Sequence, residues 1–151
     1  MKRREFLEAG AAGAGLLWLG AQAGEMGKPP SDAINVALIG AGEQGLALIN
    51  ATLPIPGVRF RAICDVWPYR RQGTKYYLSV YRHKANDYSD YREMLAQEKD
   101  LHAVLIATPD AMHAEQAAAC LKAGLHVYCE CPMANTVEGA RSMVRTSRET
   151  K

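Results

Sequence analysis

Ile34-Asn35-Val36-Ala37-Leu38-Ile39-Gly40-Ala41-Gly42-Glu43-Gln44-Gly45 is the stretch from which the rest of the chain is read. A short apolar run, partly β-branched, leads into glycines spaced G-x-G-x-x-G, and a helical pattern follows. The run reads as a buried strand. Residues 44–53 carry Leu46, Ile49, Asn50 and Leu53 on one helical face and stop before Pro54 and Pro56. A strand before the glycines and a helix after them give each glycine a separate task. Gly40 permits the tight turn, Gly42 lets a pyrophosphate approach the backbone, and Gly45 lets helix and strand pack closely. Glu43 and Gln44 open the helix, whose amide groups and positive dipole end suit phosphate.

Such a loop calls for an acidic residue about 20 positions on, at the end of the second strand. Residues 58–64 read as that strand, and Asp65 follows them, 20 positions after Gly45. A carboxylate there accepts hydrogen bonds from a ribose 2′-hydroxyl and repels a 2′-phosphate, which favours NAD over NADP. Arg70 and Arg71 lie nearby and could reverse that preference by pairing with the phosphate, so NADP stays open.

Outward from this pair, apolar runs alternate with helical patterns. Pro68 suits a first helical turn, so a helix is expected from Pro68 to about Leu78. Residues 79–89 are rich in Tyr, Arg and Lys, and any strand there is short. Asp90 and Glu93 resemble a capping box opening a helix to about Glu98. Residues 103–107 read as a strand. Asp110 is expected to cap a helix over residues 111–123 that ends at Gly124. Residues 125–129 form another strand, and Asn135 or Thr136 caps a last helix. The alternation predicts an α/β fold, a doubly wound parallel sheet of the Rossmann type with right-handed crossovers.

The composition is compatible with this. A chain of 151 residues, 48% hydrophobic and 23% charged, suits one soluble domain. With 18 basic against 16 acidic residues and no basic stripe, nucleic acid is not an expected partner. Cys64, Cys120, Cys129 and Cys131 do not form a small disulfide framework. They also lack the companion ligands of a zinc site, so no metal is expected. No apolar run reaches the ~20 residues of a membrane span.

Residues 1–23 differ from the rest. Lys2, Arg3 and Arg4 precede a weakly apolar Gly- and Ala-rich stretch, and Ala21-Gln22-Ala23 is a small-x-small cleavage pattern. This is the layout of an export signal. Arg3-Arg4-Glu5-Phe6-Leu7 resembles a twin-arginine signal, with Lys2 and Glu8 departing from its usual flanks. The resemblance implies export of the folded protein to the periplasm, or a tether if the signal stays on. Residues 24–32 read as a linker and residues 33–151 as the NAD(P)-binding domain.

Two further loops leave strand ends near the expected crevice: Ala107-Thr108-Pro109-Asp110-Ala111-Met112-His113 and Cys129-Glu130-Cys131-Pro132-Met133-Ala134. With the glycine loop, Ile63-Cys64-Asp65 and the segment from Gly124 to Met143, they resemble the N-terminal half of the Gfo/Idh/MocA oxidoreductases. The resemblance implies hydride transfer between NAD(P) and a sugar, cyclitol or related polyol. It assigns Thr108, Pro109 and His113 to the wall beside the nicotinamide and Glu130 to the nicotinamide ribose, with Thr108, Pro109, Glu130 and Pro132 framing the nicotinamide. A packing role for His113 in the first helical turn is the alternative.

Two departures stand out. The family's Glu-Lys-Pro is Glu130-Cys131-Pro132 here, so Cys131 stands where the family's catalytic lysine stands. A thiol is shorter than a lysine and supplies no ammonium, so weak or altered chemistry is expected. The family's C-terminal α+β domain, which supplies most of the sugar pocket and the oligomer interface, is absent from this chain. The chain alone is therefore expected to be inactive toward a polyol. Two further readings remain: a non-catalytic dinucleotide-binding or sensing module, and a truncated inactive product.

Overall fold

The computed structural model describes residues 33–150. The export signal and linker expected over residues 1–32 lie outside the described residues. Strand β1 (Ile34–Ile39) leads to α1 (Glu43–Thr52), β2 (Val58–Cys64), α2 (Pro68–Val80) and β3 (Asn86–Tyr88). Then come α3 (Tyr91–Gln97), β4 (Ala103–Ile106), α4 (Asp110–Lys122), β5 (His126–Cys129) and α5 (Val137–Glu149). The strands form one parallel sheet in the order β3-β2-β1-β4-β5. This is the doubly wound arrangement the alternation predicts.

The central strand explains the two-layer core. Successive β1 side chains point to opposite faces. Ala37 and Ile39 join Ala62, Cys64, Val104 and Ile106 in one layer, covered by Met94 of α3, Ala117 and Cys120 of α4, and Met143 of α5. Val36 and Leu38 join Phe60 and Ile63 in the other, covered by Ile49 of α1 and Leu78 of α2. Phe60 and Ile63 are three positions apart, yet they share a face. A register shift makes this work: Val36 pairs with Phe60 and Ala37 with Ala62, so Arg61 is an extra residue in β2. Tyr77 ties α2 to α1 by donating its hydroxyl to Asn50 Oδ1 at 2.6 Å.

β5 closes one edge. Val127 and Cys129 pack onto the first layer, and His126 and Tyr128, pointing the other way, are exposed. Met133, Val137 and Val144 are exposed near this edge and along α5. No helix among the described residues is long and apolar enough to cross a membrane.

Several helix ends differ from the sequence reading. Asp110 does not cap α4; it is the first helical residue, and Pro109 occupies the cap position. Its carboxylate lies in the first turn, where the helix dipole still favours it. Asp90 does cap α3, accepting from the Arg92 amide at 2.8 Å. Glu93 does not complete a capping box, because its carboxylate accepts from Gln97 instead. Thr136, not Asn135, caps α5 through the Gly139 amide. Gly124, at φ +81°, ends α4 as expected. There the Leu125 amide reaches Cys120 O and the Gly124 amide reaches Leu121 O.

Candidate cofactor-binding site

A parallel sheet brings every strand's C-terminal end to one edge. The crevice opens where the chain reverses its direction of travel across the sheet, between β1 and β4. The glycine loop sits at that point and is shaped by backbone crowding. Gly40 has φ +94°, and a Cβ there would lie 2.6 Å from the carbonyl carbon and oxygen of Ala107. A Cβ on Gly45 would lie 2.0 Å from Gly40 O. Gly42 differs, because a Cβ there would meet only the Arg70 guanidinium, at 2.8 Å. It caps α1 without a side chain, so the first-turn amides have no capping partner. Open amides, a positive dipole and room above the loop fit a pyrophosphate.

Asp65 adjoins the loop and is 9% exposed. Its Oδ2 accepts from the Ala41 amide and its Oδ1 from the Trp67 amide, both at 2.8 Å. The carboxylate thus clasps the glycine loop to the turn after β2. A carboxylate has about four lone-pair positions, so acceptor capacity is left for a ligand hydroxyl. Arg71 is committed inward: Nη1 donates to Asp65 O at 2.7 Å, and Nε lies 3.6 Å from Asp87. Arg70 is the guanidinium that faces the loop mouth over Gly42.

A cleft of about 410 Å³ brings Gly40, Gly42, Asp65, Thr108 and Pro109 together. Trp67, Tyr91, Met112 and Gln116 complete much of its lining. The Thr108 hydroxyl donates to Gln116 Oε1 at 2.6 Å, and Gln116 is buried. His113 lies beneath this wall, 1% exposed, with Nε2 2.7 Å from Thr108 O and Nδ1 2.9 Å from Pro132 O. The ring is not among the residues lining the cleft.

The second loop is joined to the glycine loop through side chains. Gln44 Nε2 donates to Glu130 Oε1 at 2.8 Å, and the Cys131 amide donates to Glu130 Oε2 at 3.3 Å. Glu43 is exposed in the first turn of α1, while Gly45 is buried. Cys131 and Pro132 are exposed on their turn and do not line the cleft. The other thiols are held protonated by burial: Cys64 and Cys120 are pushed up to about 12 and Cys129 to about 11. All four cysteines are free.

The sequence reading did not anticipate the segment Ser89 to Arg92 in the cleft lining. A usable signal was present, since Asp90 caps a helix directly after a strand of the same sheet. Any such junction must lie on the ligand edge. Tyr91 donates to Glu115 Oε1 at 2.9 Å, and Arg92 pairs with the same carboxylate. Burial, followed by that bond, pushes the Tyr91 hydroxyl up to about 12.

The chain is similar to known proteins. A glycosyl hydrolase family 109 protein from Shewanella amazonensis is 35% identical over 128 residues, covering 82% of this chain and 28% of that one. A relative of the same description from Shewanella baltica is 32% identical and covers 99% of this chain and 37% of its own length. The chain thus spans about a third of the length of these curated relatives. Among solved structures, the WlbA dehydrogenase of Bordetella pertussis, in complex with NADH and UDP-GlcNAcA, has a TM-score of 0.70 at 30% identity. It covers 78% of this chain and 35% of that one. Levoglucosan dehydrogenase, in complex with NADH and L-sorbose, has a TM-score of 0.65 at 31% identity, covering 77% and 32%. The profile described as an oxidoreductase family with an NAD-binding Rossmann fold matches residues 34–151, and the chain belongs to that family, Gfo/Idh/MocA.

Proposed function

We propose that the chain binds NAD(H) in this crevice and serves as the nucleotide-binding part of an exported oxidoreductase acting on a sugar, cyclitol or related polyol. The observation that carries the reading is one cleft with two walls. The glycine loop, the uncapped start of α1 and Asp65 form one wall, and Thr108 and Pro109 form the other. The loop amides would hold the pyrophosphate, and Asp65 would accept from the adenosine ribose. Thr108, Pro109, Glu130 and Pro132 would frame the nicotinamide end. The nicotinamide, when bound, supplies the hydride acceptor or donor. A second domain would complete the polyol pocket.

Titrating the full chain with NADH, followed by the fluorescence of its two tryptophans, Trp18 and Trp67, tests the reading. Saturable NADH binding is expected, with NADPH weaker by roughly tenfold or more. Equal or tighter NADPH binding would move the assignment to Arg70 pairing with a 2′-phosphate. Binding of neither dinucleotide would overturn the reading.

Cys131 bears on turnover. It offers no ammonium to a reacting hydroxyl, so a form carrying the second domain is expected to oxidise polyols slowly. Its Cys131→Lys variant is expected to be faster. Equal rates would remove the proposed effect of this residue.

A second reading is favoured by the relatives described as glycosyl hydrolase family 109 proteins. In that case the bound NAD would serve cleavage of a glycosidic bond. Net NADH accumulation with a free sugar supports the first reading. Aglycone release without net NADH supports the second.

Export is proposed on the Arg3-Arg4-Glu5-Phe6-Leu7 run. Fractionating cells that express the chain with Arg3 and Arg4 replaced by Lys tests it. Unchanged location would overturn the proposal.

A further inference from the structure

His113 is a polar ring buried in the first turn of α4, and it touches both loops that follow β4 and β5. Its Nε2 lies 2.7 Å from Thr108 O, in the loop after β4. Its Nδ1 lies 2.9 Å from Pro132 O, in the turn after β5. A buried ring needs polar partners, and a neutral imidazole donates one N–H: in the Nδ1–H tautomer it goes to Pro132 O, whereas an apolar side chain of similar volume would donate to neither carbonyl. The sheet ladder joins these loops only as far as the Glu130 amide, which donates to Ile106 O at 3.0 Å. Beyond it, among the described residues, no backbone hydrogen bond links residues 131–135 to residues 107–112. The ring therefore supplies the tie at the point where the ladder has ended.

The adenosine end is held by other means. Asp65 clasps Ala41 and Trp67 there, and the crowded glycine loop rests on Ala107. We infer that His113 is a positioning residue for the nicotinamide end of the cofactor. It holds the Glu130–Cys131–Pro132 turn in place against Thr108 without touching the ligand. The inference rests on the cofactor placement proposed above. It divides the crevice into one end that depends on this ring and one that does not.

The test compares NADH with ADP-ribose, which lacks the nicotinamide, by calorimetric titration of the full chain. His113→Leu is expected to weaken NADH roughly tenfold and ADP-ribose less than about twofold, as for losing one hydrogen bond from a buried ring at one end. His113→Gln keeps an amide able to donate to one carbonyl, and its NADH affinity is expected between the two. Equal losses for both ligands in His113→Leu would overturn the inference, as would no loss for either. An unfolded His113→Leu, seen by circular dichroism, would likewise overturn it by assigning the ring to the fold as a whole. If the unsubstituted chain bound neither ligand, the proposed function itself would fail, an outcome separable from all of these.

Discussion

The two loops at the crevice are built by different means. The glycine loop after β1 is held by backbone against backbone: Gly40 against Ala107, and Gly45 against Gly40 O. The turn after β5 hangs from side chains: Glu130 from Gln44, and Pro132 O from His113. The first arrangement has no slack, because a main-chain atom cannot rotate away. The second can yield at its exposed bond, Gln44 to Glu130, because side-chain bonds near the surface exchange with water at small net cost. A pyrophosphate needs the rigid kind of site. A loop that frames a reacting ring can tolerate the adjustable kind.

The contrast can be broken at its stiff end first. Gly45→Ala forces a Cβ to within 2.0 Å of a carbonyl oxygen. It is expected to cost about 3 kcal/mol or more in a urea unfolding curve and to abolish NADH binding. If it kept near-normal stability and affinity, the rigid-loop account would be wrong. Glu130→Ala cuts the adjustable loop from Gln44. It is expected to lower stability by under about 1 kcal/mol, yet to weaken NADH several-fold more than ADP-ribose. Equal effects on both ligands would remove the distinction between the two ends.

Thiol labelling sharpens the same comparison. At pH 8, iodoacetamide is expected to modify exposed Cys131 first. Cys64, Cys120 and Cys129, pushed up to about 12, 12 and 11 by burial, stay protonated and slow. Peptide mass mapping over time reads the order, and saturating NADH is expected to slow labelling of Cys131. The smallest effect is expected at Asp87, whose charged partners are Arg71 and Lys75. The Lys75 ammonium beside it, 2.6 Å away, holds its carboxyl below the usual carboxylate range. A depressed folded value means that this stabilisation is present above the unfolded carboxylate pKa. It fades as pH falls through the folded value. Asp87→Asn is therefore expected to cost under about 1 kcal/mol at pH 7 and nothing in strong acid, read from unfolding curves at both.

Much of the fold was legible because it is written in short-range patterns. The β2 strand from Val58 to Cys64 and the turn at Gly124 follow from apolar runs and one left-handed residue. The three-residue β3 was not sharply legible, because Asn86, Asp87 and Tyr88 carry no apolar run. Its edge place beside β2, not its sequence, makes it a strand. At the site, Gly40, Gly42, Asp65, Thr108 and Pro109 were legible as one group, and the structure does bring them to one cleft. The part played by His113 was not, since a histidine in a first turn reads equally as wall or as packing.

The sequence by itself determined the alternation of strands and helices, the glycine loop and the acidic residue that follows it. Those features depend on period, on β-branching and on which residue lacks a Cβ, all local properties. Tertiary structure alone decided that Arg61 is the extra residue that puts Phe60 and Ile63 on one face. It also decided that Asp65 clasps Ala41, that Gln44 meets Glu130 and that His113 spans two loops. The Asp65–Ala41 and Gln44–Glu130 bonds join segments whose proximity exists only once β1 lies between β2 and β4, and the His113–Pro132 contact needs β5 beside β4. Directional hydrogen bonds between such segments are set by the order of the sheet, and no local pattern carries that order.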